Sequence, residues 1–144
     1  MDWAEFEQRL GALRATHPKW FSEEGEPLPS QEALVEAEQA LGVRLPETYK
    51  AFLRRFGGGY FGATNVFGVS GGDWDIVAKN LRYPLPERFI AVSDDQAGGY
   101  YGFIVASGVC SPEVVYCYPM EADGLKPVAT DFLSYLVKVG LDLP

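Results

Sequence analysis

Two closely spaced carboxylate pairs, Asp73 with Asp75 and Asp94 with Asp95, are the side chains of this 144-residue chain best suited to chemistry. Paired acids can hold a divalent cation or divide acid and base roles between them. Both pairs stand among glycines in turn-like runs, where aspartate is common because it bonds nearby backbone N–H groups. No calcium-loop spacing follows either pair. The run Gly57–Gly62 satisfies the Gly-x-Gly-x-x-Gly spacing, but a dinucleotide site needs that loop between a strand and a following helix. Here the predicted order is helix, glycines, strand, and the end of a helix presents carbonyls, which repel phosphate. His17 is the single histidine. It stands beside a proline at a helix end, so an exposed or capping role is expected. Neither catalytic residues, nor a metal site, nor a cofactor is predicted, and the chain reads as a binding module, not an enzyme.

The aromatic residues point to contact with another macromolecule. Tyr60, Phe61, Trp74, Tyr83, Tyr100, Tyr101, Tyr116 and Tyr118 are many for a small sheet protein. Tyrosine and tryptophan among acids suit a protein interface, because they bury large area at small entropic cost. Strand alternation sets Tyr101, Phe103 and Val105 on one face and Tyr100, Gly102 and Ile104 on the other. The residues expected to touch a partner are Tyr60, Asp73, Trp74, Asp75, Asp94, Asp95 and Tyr100, with Trp74 as an exposed anchor.

The elements that must carry these residues are marked by their ends. Asp2 and Glu5 form an Asp-x-x-Glu capping pattern, and Trp3, Phe6, Leu10 and Leu13 share one face of a helix that closes near His17-Pro18. Residues 18–29 read as a loop. Ser30 caps a second helix, which Gly42 ends in a left-handed conformation. Pro46 opens a third helix, whose Tyr49, Phe52, Leu53 and Phe56 recur at helical spacing, and Gly57 stops it. Val66–Val69 reads as a short strand. Asp73 is expected to cap a short helix running through Leu81, broken by Pro84 and Pro86. Residues 88–93, 100–106 and 113–118 read as strands, with hairpin loops at 94–99 and 107–112. Connections this short make the strands antiparallel. Asp123-Gly124 turns the chain into a strand at 125–128, Thr130 caps a last helix, and the terminal Leu-Asp-Leu-Pro frays. The expected fold is α+β: one domain over 1–144, with a helix and loop at 1–29 and a core at 30–140. Its sheet is mainly antiparallel, of five or six strands, with helices on one side.

The length suits one domain with a buried core. No apolar run approaches the ~20 residues needed to cross a bilayer. The acidic start lacks a secretory pattern, so a cytoplasmic location without membrane contact is expected. Cys110 and Cys117 are expected to be free thiols, with Cys110 in a turn and Cys117 more buried. Cys117 lies about four residues into the next strand, about 13 Å further along at ~3.3 Å per residue, and bridged Cα atoms lie within about 7 Å. The net charge is −8. Residues 1–40 hold nine acids and three bases, residues 41–56 one acid and four bases, and residues 57–144 ten acids and five bases. Such a balance disfavours direct contact with nucleic acid and favours encounter with a basic protein.

The spacing of Glu38, Leu41, Gly42, Leu45, Pro46, Tyr49, Lys50, Phe52, Leu53, Gly57 and Gly58 resembles the opening of the SUKH superfamily domain, named partly after a yeast regulator of cell-wall synthesis. Later blocks continue the resemblance: Val66–Val69, Trp74–Leu81, Phe89–Val92, then Asp94, Asp95, Gly98, Gly99 and Tyr100–Val105. It spans roughly residues 30–140. The resemblance implies a cytoplasmic immunity protein that binds and neutralises a cognate toxin domain, often a nuclease, from a polymorphic or contact-dependent system. Such a protein would occlude the toxin's working cleft, and a monomer or weak homodimer is expected. The alternative it carries is a non-catalytic regulatory or scaffold protein like the yeast regulator.

Overall fold

A computed structural model describes residues 1–21, 25–82, 85–120 and 124–141. Tyr83, Pro84, Asp123 and the terminal residues 142–144 lie outside the described residues, so the expected turn at Asp123 and the fraying of the terminus have no structural counterpart here.

The helices form where their ends are chemically marked. Helix α1 spans Trp3–Thr16, with Asp2 accepting from the Glu5 N–H at 2.8 Å. The second half of a capping box is absent, because the Glu5 side chain pairs with Arg9 at 3.1 Å. Phe6 and Leu10 are buried. His17 closes the helix, its N–H bonding the Leu13 carbonyl, and a 3-10 turn follows at Pro18–Phe21. Helix α2 spans Gln31–Leu41, capped by Ser30 and ended by Gly42 at φ 69°. Helix α3 spans Glu47–Phe56, with Pro46 just outside the first turn at φ −59°. Tyr49, Phe52 and Leu53 are fully buried, and Gly57 ends the helix at φ 75°.

Among the described residues, seven strands make one antiparallel sheet. They are β1 (Gly59–Phe61), β2 (Thr64–Val66), β3 (Phe89–Asp94), β4 (Tyr100–Ala106), β5 (Val109–Cys110), β6 (Val114–Cys117) and β7 (Leu125–Ala129). Six run in the order β1-β2-β3-β4-β6-β7, and two-residue β5 pairs β4 off this path. The strand expected at Val66–Val69 begins and ends earlier. Gly57–Gly59 finish the turn out of α3, and β1 then folds back on β2 through Gly62 and Ala63. Where a loop was expected at 107–112, Ser107 (φ 51°) and Gly108 (φ 74°) make a tight hairpin, and Cys110 lies in a strand. Two successive residues at positive φ match the right-handed twist of the flanking strands.

Helix α4 spans Ile76–Arg82. It is capped by Asp75 in place of the expected Asp73, since Asp75 accepts from the Ala78 N–H at 3.0 Å. On α4, Asn80 covers an open stretch of β3, accepting from the Ala91 N–H at 2.8 Å and donating to its carbonyl at 2.9 Å. The amide thus stands in for a neighbouring strand where β2 has ended. Helix α5 spans Phe132–Tyr135 and widens into a π-helix over Leu136–Leu141. Its cap is Asp131, which accepts from the Ser134 N–H at 2.8 Å, where Thr130 was expected.

The core lies between the helices and one sheet face. Phe103 meets Tyr49 at 6.1 Å and Phe132 at 6.2 Å between ring centroids. Phe52 packs on Phe132 and Phe61. These edge and tilted contacts are the arrangements aromatic quadrupoles prefer. The Tyr49 hydroxyl donates to the Phe67 carbonyl at 2.5 Å, so the buried polar tip is satisfied. The architecture is α+β, with helices mainly on one side of the sheet.

Candidate functional site

The register of the sheet aligns one residue from each of six strands. Tyr60 stands opposite Asn65, Asn65 opposite Asp94, Asp94 opposite Tyr100, Tyr100 opposite Cys117, and Cys117 opposite Leu125. Directly opposed residues of antiparallel strands project from the same face. The row lies on the face away from Tyr101 and Phe103, whose rings contact Tyr135 and Tyr49 on the helices. Tyr60, Asp94 and Tyr100, predicted from scattered positions, are therefore neighbours.

Tyr60 is exposed (50 %). Its hydroxyl accepts from Gln96 Nε2 at 3.0 Å, and its ring meets the edge of Trp74 at 6.1 Å. Trp74 is half-buried, contrary to the exposed anchor expected. It stacks on Phe67 at 6.5 Å, with the Lys79 ammonium 4.8 Å from its ring centroid. The reason is local: Asp75, not Asp73, starts α4, so Trp74 is turned back toward β2.

The acids divide into occupied and available ones. Asp73 is exposed. Asp75 is committed to the backbone, accepting from the Gly71 and Ala78 N–H groups. Asp95 closes the β3–β4 loop, taking the Ala97 and Gly99 N–H groups on Oδ1, each at 2.8 Å, and the Tyr116 hydroxyl on Oδ2 at 2.6 Å. Burial alone would raise the Asp95 pKa. The bonds from Tyr116, Ala97 and Gly99 outweigh it and hold the carboxyl below its ordinary value. The same bond pushes the Tyr116 phenol well up. Asp94 differs, for its Oδ1 is buried without a hydrogen-bond partner.

Asn65 gave no functional signal in the sequence, although asparagine is depleted in strands and this one sits in the middle of β2. It is 1 % exposed, and neither its Oδ1 nor its Nδ2 has a partner. A cavity of about 220 Å³ is bordered by Asn65, Asp94, Asp95, Gln96, Tyr101 and Val139, among others. Buried polar groups are nearly always paired, so the unpartnered Asn65 carboxamide is an exception in this fold.

The glycine run serves packing. A Cβ on Gly58 or Gly68 would collide with the Glu26 carboxylate. Glu26 is wedged between them, its N–H donating to the Gly58 carbonyl at 2.9 Å and its Oε2 accepting from Ser70. This seat for a loop carboxylate was not legible in the glycine spacing. His17 is exposed and stacks on Trp20 at 3.8 Å. Both cysteines are free and buried, Cys117 slightly the more, at 3 % exposed against 5 % for Cys110. Burial pushes the Cys110 thiol up to about 12, so it stays protonated at neutral pH. Among the described residues no group of three or more histidine, cysteine or acidic side chains could hold a metal ion. Among them, too, no helix is long and apolar enough to cross a membrane.

The motif residues of the second and third helices have a physical role. Glu38 Oε2 accepts from the Leu45 N–H at 2.8 Å and pairs with Lys50 Nζ at 3.2 Å. Lys50 also pairs with Glu47 at 2.9 Å. Burial alone would lower the Lys50 pKa, but these two carboxylates raise it on balance. Comparison of the sequence with curated proteins gives no match. A family model described as SMI1-KNR4 cell-wall, one of the SUKH group, matches residues 31–136, from the start of α2 to the π-helical turn. The chain therefore belongs to the SUKH superfamily, in its SMI1-KNR4 cell-wall family.

Proposed function

We propose that this protein is a cytoplasmic immunity protein that binds a cognate toxin domain and blocks its working cleft, without catalysis of its own. Family membership supports a protein–protein role. The observation that carries the finer reading is the transverse row of Tyr60, Asn65, Asp94 and Tyr100, flanked by Trp74. It presents aromatic area and negative charge on the sheet face away from the core aromatics. Carboxylates and rings in that array can stand where phosphate and base would lie in a nuclease cleft, and the net charge of −8 speeds encounter with a basic partner. Asp73, Tyr60 and Trp74 form the rim of this contact, while Asp75 and Asp95 hold the loops beneath it.

The family description refers to the cell wall, which favours a second reading, a regulatory scaffold that binds a signalling protein. Co-expression separates the two. A toxin domain encoded beside this chain is produced in cells with and without it. Survival only in its presence supports immunity, and equal killing in both cultures leaves the scaffold reading.

A further inference from the structure

Two arginines meet where α1 packs against the end of α3. Helix α1 enters this junction through Phe6, whose ring meets Phe56 at 6.2 Å and Phe61 at 6.0 Å. Phe61 alternates with Tyr60 along β1, so the junction lies on the side of the sheet away from the Tyr60 row. The Arg14 and Arg55 Cζ atoms stand 5.8 Å and 6.0 Å from the one Phe56 ring centroid. Arg14 also lies 5.5 Å from the Phe21 ring and Arg55 4.5 Å from the Trp3 ring. Rings thus hold both cations at an exposed surface. Glu7 pairs with Arg55, and among the described residues Arg14 pairs with no acid. Two arginines against one glutamate leave one positive charge, in a chain of net charge −8. A cleft of about 380 Å³ is bordered by Glu7, Leu10, Gly11, Arg14, Arg55 and Phe56. Gly11 lies in the middle of α1, where glycine weakens a helix relative to alanine. No neighbour demands it, for a Cβ there would meet nothing within 4 Å. Its missing side chain leaves the cleft open between Glu7 and Arg14, which share its face of the helix. A guanidinium fork without an acid, a positive surplus and an apolar ring match a carboxylate on a short aliphatic stem.

We propose that this cleft receives one glutamate side chain of an acidic protein partner, its carboxylate accepting from Arg14 and its methylenes lying over Gly11. Arg55, beside the same ring, adds positive potential. This is a second docking surface, on the helical side of the sheet, and it stands apart from the immunity reading of the Tyr60 row.

The test is titration of the full chain, at fixed ionic strength, with N-acetyl-glutamate methylamide, followed by the side-chain Nε–H NMR signals of Arg14 and Arg55. A saturable shift at Arg14 is expected. The glutamine counterpart, of equal shape and no charge, should bind at least tenfold more weakly, and Arg14→Gln should weaken glutamate binding at least tenfold. Glu7→Gln should tighten it, because the one competing acid is removed. Gly11→Leu should fill the cleft and abolish binding while the thermal midpoint holds or rises, since leucine is the better helix former. Absence of a saturable shift at about 100 mM capped glutamate, well above a weak millimolar affinity, overturns the proposal. Equal binding of capped glutamine, or undiminished binding by Gly11→Leu, overturns it as well. Tighter binding of methyl phosphate than of capped glutamate would make the cleft a phosphate site and also overturn it.

Discussion

Lys50 closes on Glu38 across the junction of α2 and α3, 3.2 Å from its Oε2, while the same oxygen accepts from the Leu45 N–H. One carboxylate thus fixes both the lysine and the turn that launches α3. Removing it leaves a buried N–H unpaired and a buried ammonium with Glu47 alone. Glu38→Ala should cost about 2 kcal/mol of folding stability, read by urea unfolding, and Glu38→Gln should cost less because its amide oxygen still accepts from Leu45. Equal stability of the Ala variant would show that the junction is held by packing alone.

Gly68 is small because Glu26 lies against it. A Cβ there would meet the Glu26 carboxylate at 2.7 Å and the Gly58 Cα at 3.2 Å. Gly68→Ala should destabilise by roughly 1–3 kcal/mol as an overpacking change. Paired with Glu26→Ala, the total loss should be smaller than the sum, since the obstacle is gone. Strict additivity in thermal denaturation would refute the wedge.

Asp95 makes the protein acid-sensitive in a defined direction. Its folded pKa lies below the ordinary aspartate value, so its contribution is present above the unfolded pKa and is lost as pH falls through the folded one. Stability measured between pH 5 and pH 2 should therefore fall more steeply in the native chain than in Asp95→Asn. Tyr116→Phe should move the Asp95 carboxyl resonance titration upward, because the phenol bond that favours the ionised form is removed.

Tyr60 is the cleanest probe of the proposed docking face, being exposed and held by one surface bond. Tyr60→Ala should change folding stability by no more than about 0.5 kcal/mol while weakening partner binding tenfold or more. Trp74→Ala should weaken partner binding and also lose roughly 1–2 kcal/mol of stability, because its ring is stacked on Phe67. Unchanged partner affinity in Tyr60→Ala, measured by calorimetry, would move the interface elsewhere.

Asn65 should be kept at a cost in stability. Its carboxamide is buried and unpartnered, so Asn65→Leu, close in shape and apolar, should hold or raise the thermal midpoint. A drop equivalent to ~2 kcal/mol would mean that the amide is satisfied in solution by water or by Asp94.

Much of the fold is legible in the order of the residues. Ser30, Gly42, Pro46 and Gly57 delimit α2 and α3 because each acts on backbone within a turn of itself, and the Tyr49–Phe56 stripe marks the buried face by period alone. Strand alternation separated Tyr101 and Phe103 from Tyr100 and Ile104 for the same reason. The expectations that moved were those in which neighbouring candidates compete. Asp75 caps where Asp73 was expected and Asp131 where Thr130 was, because either residue could serve by type and the packing of the helix against the sheet selected one.

Local chemistry in the chain thus set where the elements start and stop and which faces are apolar, since caps, glycine turns and helical periods act over a few residues. The assembled sheet alone brought Tyr60, Asn65, Asp94 and Tyr100 into one row, seated Glu26 between Gly58 and Gly68, and bonded Asp95 to Tyr116. Those relations depend on strand register and on contacts between distant segments. Register is chosen by the whole buried face, since a slip of one residue would turn every side chain of a strand to the opposite side.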